Sequence, residues 1–285
     1  MTDATAGSAA PQPSMSRRHA AGAESARGLL FTVLGEFVLP SGGTAWTASL
    51  IDVLGRLGVE EKATRQALMR TAGSGWLEPQ RVGRRTRWKL TGQAETLLTE
   101  GTERIYSFTG VESQWAGRWL LVLARVPETD RRVRHVLRTR LSWAGFGSPA
   151  PAMWISAHVD RIGEAQRILA DAGVLADAQV FVAEHRGGGE LGAMVRQAWD
   201  LDTIEAAYEG FLAEFASPSA RDPLARVVEL VHAWRRFPAI DPALPADLLP
   251  PGWSGVRAAR LFERRHATWA ADARTAWRAL DRGAS

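Results

Sequence analysis

Residues 61–90 read EKATRQALMRTAGSGWLEPQRVGRRTRWKL, and the expected architecture of the N-terminal part follows from them. At about 100° per residue, a helix from Glu61 to Thr71 has two unlike faces. One face carries small and apolar residues that permit close packing, namely Ala63, Thr64, Ala67, Leu68 and Thr71. The other carries Lys62, Arg65, Gln66, Met69 and Arg70. The pattern predicts a helix that is packed on one side and cationic on the other.

The residues after this helix predict a β-hairpin with a basic tip. Two short runs, Glu78 to Val82 and Arg87 to Leu90, are typical of strands and flank Gly83-Arg84-Arg85-Thr86. This places two adjacent arginines at the tip, with Arg81 and Arg87 on its shoulders. Thr91-Gly92-Gln93 then opens a fourth helix that runs to about Ser107.

Two amphipathic helices come before the cationic helix, from Arg27 to Val38 and from about Ala45 to Leu57, where Gly58 is a suitable C-cap. Three helices followed by a hairpin predict a winged helix-turn-helix, in which the third helix enters the major groove of DNA and the hairpin reaches phosphates or the minor groove. Arginine suits guanine edges and glutamine suits adenine edges. The candidate DNA-binding residues are Lys62, Arg65, Gln66, Arg70, Arg81, Arg84, Arg85 and Arg87.

Charge is concentrated in the same region. Between Lys62 and Lys89 there are eight basic residues and one acidic residue, Glu78, whereas the whole chain of 285 residues has a net charge of +4. A basic patch on a nearly neutral chain points to a polyanionic partner. Without the hairpin, a solvated helix face would be the simpler interpretation of the cationic helix.

The central part alternates strands and helices. A strand from Trp119 to Arg125, apolar enough for burial on both faces, precedes an arginine-rich helix from Glu128 to Leu141. A Gly/Pro-interrupted loop, a strand from Ala152 to Ser156, a helix and a last strand follow, which predicts a ferredoxin-like α+β sandwich. The arginine-rich helix is either a solvated surface or a site for the phosphates of DNA or of an acyl-CoA; the sequence leaves both open.

The C-terminal part is expected to be mostly helical, with helices at Thr203 to Ala216, Pro223 to Phe237 and Ser254 to Leu280. A proline-rich elbow, in which Asp241 is suited to accept backbone N–H bonds, separates the last two. Five tryptophans either line a pocket for an aromatic or acyl group or belong to the core: Trp199, Trp234, Trp253, Trp269 and Trp277. The residues that bind an effector cannot be chosen from the sequence.

Several classes of protein are excluded by composition. The chain has no cysteine, so it contains no disulfide, cysteine-zinc site or thiol nucleophile. No apolar run approaches the ~18 residues of a membrane span. Histidines at helical metal-binding spacing and a GxSxG motif are both missing, so we expect no enzyme, no cofactor and no metal. Residues 1–25 lack a signal-peptide pattern and predict a disordered leader, with a cytoplasmic location.

The combined motifs resemble the PaaX family, which are repressors of aromatic-acid catabolism named for phenylacetate degradation. The resemblance rests on Gly75-Trp76-Leu77 with Arg81-Val82-Gly83-Arg84-Arg85, on Trp115-Ala116-Gly117-Arg118-Trp119, on Leu141 to Gly147, on Ala198-Trp199-Asp200-Leu201, and on Asp241 to Gly255. One departure is Ala72-Gly73-Ser74, where the family more usually has a charged helical stretch.

The resemblance implies an α+β multidomain fold: a winged helix at residues 26–110, a central ferredoxin-like, Cas2-like dimerisation domain at 111–190 and a helical domain at 191–285. It implies a homodimeric repressor on double-stranded operator DNA, released by a small effector such as an aryl- or acyl-CoA thioester. The alternatives are a ligand-independent architectural DNA-binding protein and a Cas2-like nuclease. The nuclease needs a carboxylate at the end of the first central strand, where Leu123-Ala124-Arg125-Val126 has none.

Overall fold

The computed structural model describes residues 26–109, 115–127, 129–217 and 222–284. The chain forms two compact units. The first comprises the residues up to Thr99, the segment Pro223–Val228 and the residues from Asp272 onward. The second comprises Glu100–Asp222 and Glu229–Ala271. The leader predicted at residues 1–25 lies outside the described residues, and the three-domain division stays a prediction.

Three helices open the first unit. Helix α1 covers residues 26–33 and continues as a π-helical turn at Leu34–Val38, α2 is Thr47–Arg56, and α3 is Glu61–Gly73. Gly58 ends α2 in a left-handed conformation with φ of 80°, as predicted for a C-cap. The start predicted for α2 at Ala45 is wrong, because residues 44–46 pair with a distant strand instead.

A three-stranded antiparallel sheet completes this unit. Its strands are β1 (Thr44–Trp46), β2 (Leu77–Val82) and β3 (Arg85–Leu90), in the order β1-β3-β2. Val82 pairs with Arg85, so the hairpin turn is Gly83-Arg84. The predicted four-residue tip is thus two residues too long, and Arg85 and Thr86 belong to β3. Helix α4 (Gly92–Ser107) follows.

The core of the first unit joins its helices to the C-terminal end of the chain. Leucines of α1, α2 and α3 are buried, and so is Phe37, which is 1% exposed. The Phe37 ring stacks on Trp277 with 5.6 Å between ring centroids. The backbone N–H of Trp46 donates to Asp281 Oδ1 over 3.0 Å. The last helix of the chain is therefore part of this core.

A four-stranded antiparallel sheet with two helices forms the N-terminal part of the second unit. The chain order is β4 (Arg118–Ala124), α5 (Arg131–Trp143), β5 (Gly147–Ala150), β6 (Met153–Ser156), α6 (Ile162–Asp171) and β7 (Ala178–Glu184). The strand order β5-β6-β4-β7 with a β-α-β-β-α-β sequence is ferredoxin-like, as predicted.

Two expectations about this sheet are wrong. Strand β5 lies where a loop was predicted. It begins at Gly147, and only glycine fits there, because a Cβ would lie 2.5 Å from the Trp199 ring. Strand β4 is not equally buried on both faces. Leu120 and Val122 are fully buried beneath α5 and α6, whereas Leu123 is 39% exposed and Phe181, on β7, is 46% exposed. The two helices cover one face of the sheet only.

The remaining helices are α7 (Leu191–Ala198), α8 (Leu201–Phe215), α9 (Pro223–Trp234), α10 (Phe237–Ile240) and α11 (Gly255–Gly283). Residues 223–228 of α9 and the end of α11 belong to the first unit. The predicted elbow contains the short helix α10, which was not expected. All five candidate pocket tryptophans are buried, with 8% exposure or less.

Asp241 fixes the conformation of the elbow after α10. Its Oδ1 accepts a 2.7 Å hydrogen bond from the backbone N–H of Ala243, as predicted, and its Oδ2 accepts a 2.5 Å bond from the Tyr208 hydroxyl. Ala243 has a φ of 55°, which is uncommon for a residue other than glycine. Burial raises the pKa of Asp241 from 3.8 to about 6, and burial together with the Asp241 charge raises the pKa of Tyr208.

This buried carboxyl group predicts a pH dependence of stability. A raised pKa means that the folded state favours protonated Asp241, so its contribution to the free energy of unfolding is full below about pH 4 and falls as the pH rises to about 6 and beyond. The difference in unfolding free energy between the natural protein and Asp241→Asn should therefore fall by about 2 kcal/mol between pH 4 and pH 7. Urea titrations at several pH values measure it, and a difference independent of pH would contradict the assignment.

Candidate nucleic-acid interface

Helix α3 has the two faces that its sequence predicts. Thr64, Ala67, Leu68 and Thr71 are buried against the rest of the first unit. The opposite face is exposed and carries Lys62, Arg65, Gln66, Met69 and Arg70. Within the described residues, the side chains of Lys62, Gln66 and Arg70 form no hydrogen bond or ion pair, so their polar groups are available to a partner.

Arg65 differs from these neighbours because it already has a partner. Its Nε and Nη2 lie 2.8 and 2.7 Å from Glu61 Oε1, one turn earlier on α3. Both side chains are more than half exposed, so the pair contributes little to stability. It does hold the guanidinium extended along the helix face. The i, i+4 spacing of Glu61 and Arg65 in the sequence is that of a helical ion pair, but the sequence analysis did not single out Glu61.

A groove of about 600 Å³ runs between α3 and the hairpin. Arg65 and Met69 contribute from the helix, and Pro79 and Arg81 contribute from β2. Buried Trp88 forms part of the groove lining, and its indole N–H donates to Thr47 Oγ1 over 2.9 Å. Arg81 therefore lies on the same side of the hairpin as the cationic face of α3. Met69, 64% exposed, adds an apolar surface there.

The two arginines at the tip have different surroundings. Arg84 occupies the turn itself, is exposed, and forms no hydrogen bond to another described residue. Arg85 is the first residue of β3, and its Nη1 donates to the backbone oxygen of Ala284 over 3.1 Å. Only Arg84 thus has a fully uncommitted guanidinium at the end of the hairpin.

Arg87 lies on the opposite face of the sheet from Arg81. It pairs with Trp46 of β1, and its guanidinium lies over the Trp46 ring, 5.6 Å from the centroid. The side chain is half-buried rather than exposed on a shoulder of the tip. Residues alternate between faces along a strand, so Arg85, Arg87 and Lys89 share one face while Thr86, Trp88 and Leu90 share the other. The structure therefore places Arg87, together with Arg85, on the face of the hairpin opposite Arg81 and the groove beside α3.

Among the described residues, no group of three or more histidine and acidic side chains is arranged to hold a metal ion. The arginines of α5 are exposed, and Arg140 is paired with Asp171 at 2.7 Å. Of the helices described, none has both the length and the apolar character needed to cross a bilayer.

Comparison with known proteins gives three family matches along the chain. Residues 25–94 match the family described as PaaX-like protein. Residues 112–195 match the PaaX protein central Cas2-like domain, and residues 199–279 match the PaaX-like protein C-terminal domain. The central match agrees with the ferredoxin-like order of β4 to β7.

Two individual proteins are similar over most of the chain. The transcriptional repressor PaaX of Escherichia coli (strain K12) is 31% identical over 249 residues, which cover 82% of this chain and 77% of that protein. A solved structure of an uncharacterized protein from Mycobacterium tuberculosis has a similar fold, with a TM-score of 0.59 over 86% of this chain and 97% of that one. Its sequence identity of 24% supports the fold alone.

These matches place the chain among the transcriptional regulators. The chain belongs to the PaaX family.

Proposed function

We propose that the protein is a transcriptional repressor that binds double-stranded operator DNA through a winged helix-turn-helix. In this proposal α2 and α3 are the helix-turn-helix and the β2–β3 hairpin is the wing. The observation that carries it is the exposed face of α3, which presents three cations and one amide while the opposite face of the helix is buried. The similarity to the Escherichia coli repressor supports it.

Each basic residue receives a role from its position. Arg65, Gln66 and Arg70 face outward from α3 and would contact base edges in the major groove, while Lys62 would contact a phosphate at the start of the helix. Arg81 faces the same groove from β2 and would contact the backbone beside the helix. Arg84 would reach a phosphate or the minor groove from the turn. Arg85 would contribute less, because Ala284 already occupies part of its guanidinium.

The wing gives a test with a built-in comparison. Arg84→Ala should weaken binding to all DNA sequences alike and lower the slope of log K against log salt by about 1, which is the release of about one counterion. Arg85→Ala should change the slope less. Fluorescence anisotropy with specific and random duplexes at several salt concentrations measures both. Equal slopes for Arg84→Ala and the natural protein would remove Arg84 from the interface.

In this proposal the repressor acts as a homodimer, and a small effector releases it from DNA. Operators are usually bound with two-fold symmetry, so we propose a homodimer with half-sites about one helical turn or a multiple apart. We further propose a small effector, such as an aryl- or acyl-CoA thioester, that binds better to a state unable to fit DNA. The protein would act in the cytoplasm, where operator DNA is found.

Thermal unfolding with a panel of acyl-CoAs tests the effector separately from DNA. A ligand that binds the folded state raises the apparent melting temperature. A compound that raises it and also releases DNA would identify the effector. If no compound in the panel does either, the proposal of an acyl-CoA effector is wrong, while the DNA-binding role is still testable by the salt series.

A further inference from the structure

Met69 is an apolar residue in the middle of the cationic face of α3. It follows Arg65 by four residues and Gln66 by three, so these three side chains lie on neighbouring turns of one side of the helix. Met69 is 64% exposed, the highest value among the large apolar side chains described in the first unit. Burial within the protein therefore does not account for an apolar side chain at this position.

The residues before and after Met69 leave its thioether uncovered. In a helix a long side chain leans toward the N-terminal end and lies over the preceding turn, so a side chain at position 73 would lie over Met69. Gly73 has none. Apart from its chain neighbours and the backbone of α3, no described atom lies within 4 Å of the point where its Cβ would be. On the other side, Arg65 extends toward the start of the helix, where its Nε lies 2.8 Å from Glu61 Oε1.

The polar groups around Met69 favour DNA over an apolar protein surface as its partner. Lys62, Gln66 and Arg70 form no hydrogen bond or ion pair with another described residue. An apolar partner that covered Met69 would take these groups out of water without satisfying them, which is unfavourable. The major groove of DNA supplies acceptors on its base edges and phosphates, and it reaches Met69 at the same time.

One base offers an apolar group in the major groove. Thymine carries a methyl group at C5, whereas the other base edges present hydrogen-bond donors and acceptors only. Guanidinium and amide groups bind those polar edges. A thioether is apolar and adapts its shape through rotatable bonds, so it packs well against a methyl group. The face of α3 thus has one side chain suited to thymine among side chains suited to guanine and adenine.

We propose that Met69 is a specificity-determining residue that packs on the 5-methyl group of a thymine in the operator. Because Gln66 lies one turn before it, the thymine would lie at or beside the base pair that Gln66 contacts. The contact selects thymine through burial of a methyl group, without a hydrogen bond. The inference rests on the proposed function, since it needs α3 in the major groove, and it adds a residue and a base that the charges do not identify.

The experiment removes the methyl group from the DNA and, separately, its partner from the protein. Each thymine of an operator selected from randomised duplexes is replaced in turn by uracil, which pairs in the same way and lacks only the 5-methyl group. Fluorescence anisotropy measures the affinity of the full-length protein for each duplex. The variants are Met69→Ala and Met69→Leu. Leu97→Ala is the matched control, since Leu97 on α4 is also apolar and is 44% exposed.

We expect at least one uracil substitution to weaken binding of the natural protein by about fourfold, as the exposure of one methyl group predicts. Leu97→Ala and Met69→Leu should show the same loss, because both keep an apolar side chain at position 69. Met69→Ala should bind the thymine and uracil duplexes equally at that position, because the methyl group then has no partner.

Two results would overturn the role of Met69. Either no uracil substitution weakens binding, or Met69→Ala is as sensitive to uracil as the natural protein. Neither result touches the proposed function as long as the operator is bound in preference to random DNA. If no sequence is preferred, the proposed function fails and the role of Met69 fails with it.

Discussion

Replacing Arg65 and Arg70 together with alanine should weaken operator binding by at least about 30-fold, the largest loss of affinity that we expect from any pair of substitutions. Both side chains are exposed on α3, and each contact to a base edge is worth about 1–3 kcal/mol. Anisotropy titrations with operator and random duplexes measure the loss. Because these contacts are to bases, affinity for the operator should fall more than affinity for random DNA.

Two further variants make this result specific. Arg274→Ala removes an exposed arginine from α11 and should leave operator affinity unchanged. Glu61→Gln removes the carboxylate that holds Arg65 and should strengthen binding, because Arg65 is then free and a negative charge near the phosphates is lost. The assignment of α3 fails if the double variant and Arg274→Ala bind the operator equally well.

Replacing Trp234 with alanine should lower the free energy of unfolding by about 3–5 kcal/mol, the largest loss of stability that we expect from one substitution. Trp234 is fully buried in the second unit, and its ring lies within about 5 Å of Phe262 and Phe237. Its indole N–H donates to the backbone oxygen of Ile105 over 3.1 Å. The substitution therefore removes both packing and a hydrogen bond.

Trp143→Ala is the matched control, because the same side chain is removed from a position that is 68% exposed. A surface change of this kind usually alters stability by less than about 0.5 kcal/mol. Denaturant titrations of both variants measure the difference. Similar losses for the two would contradict the position of Trp234 at the centre of the core.

Local patterns were sufficient to predict the two faces of α3, the end of α2 at Gly58 and the order of strands and helices in the central sheet. Each depends on a helical or strand period within a few residues. Strand β1 was missed because its three residues carry little signal of their own, and their pairing partner β3 lies more than 40 residues away. The sequence around Thr44 favours the start of a helix just as well.

Arg87 shows why the site could be predicted only in part. Strand alternation in Arg85 to Leu90 already places Arg87 on the face opposite Trp88. The alternation cannot say which face of the hairpin is free. That depends on α11, whose Asp281 accepts the backbone N–H of Trp46 on β1 from 235 residues further along the chain. A count of basic residues at the tip therefore does not predict which of them share a face with the groove beside α3.

The most direct test of the central claim is a selection from a pool of randomised DNA duplexes, followed by anisotropy on the selected site. The account predicts enrichment of one sequence, bound at least about a thousandfold more tightly than random DNA of the same length. The Arg65→Ala, Arg70→Ala double variant should lose most of that preference. Equal affinity for all sequences, with no enrichment, would contradict an operator-binding repressor.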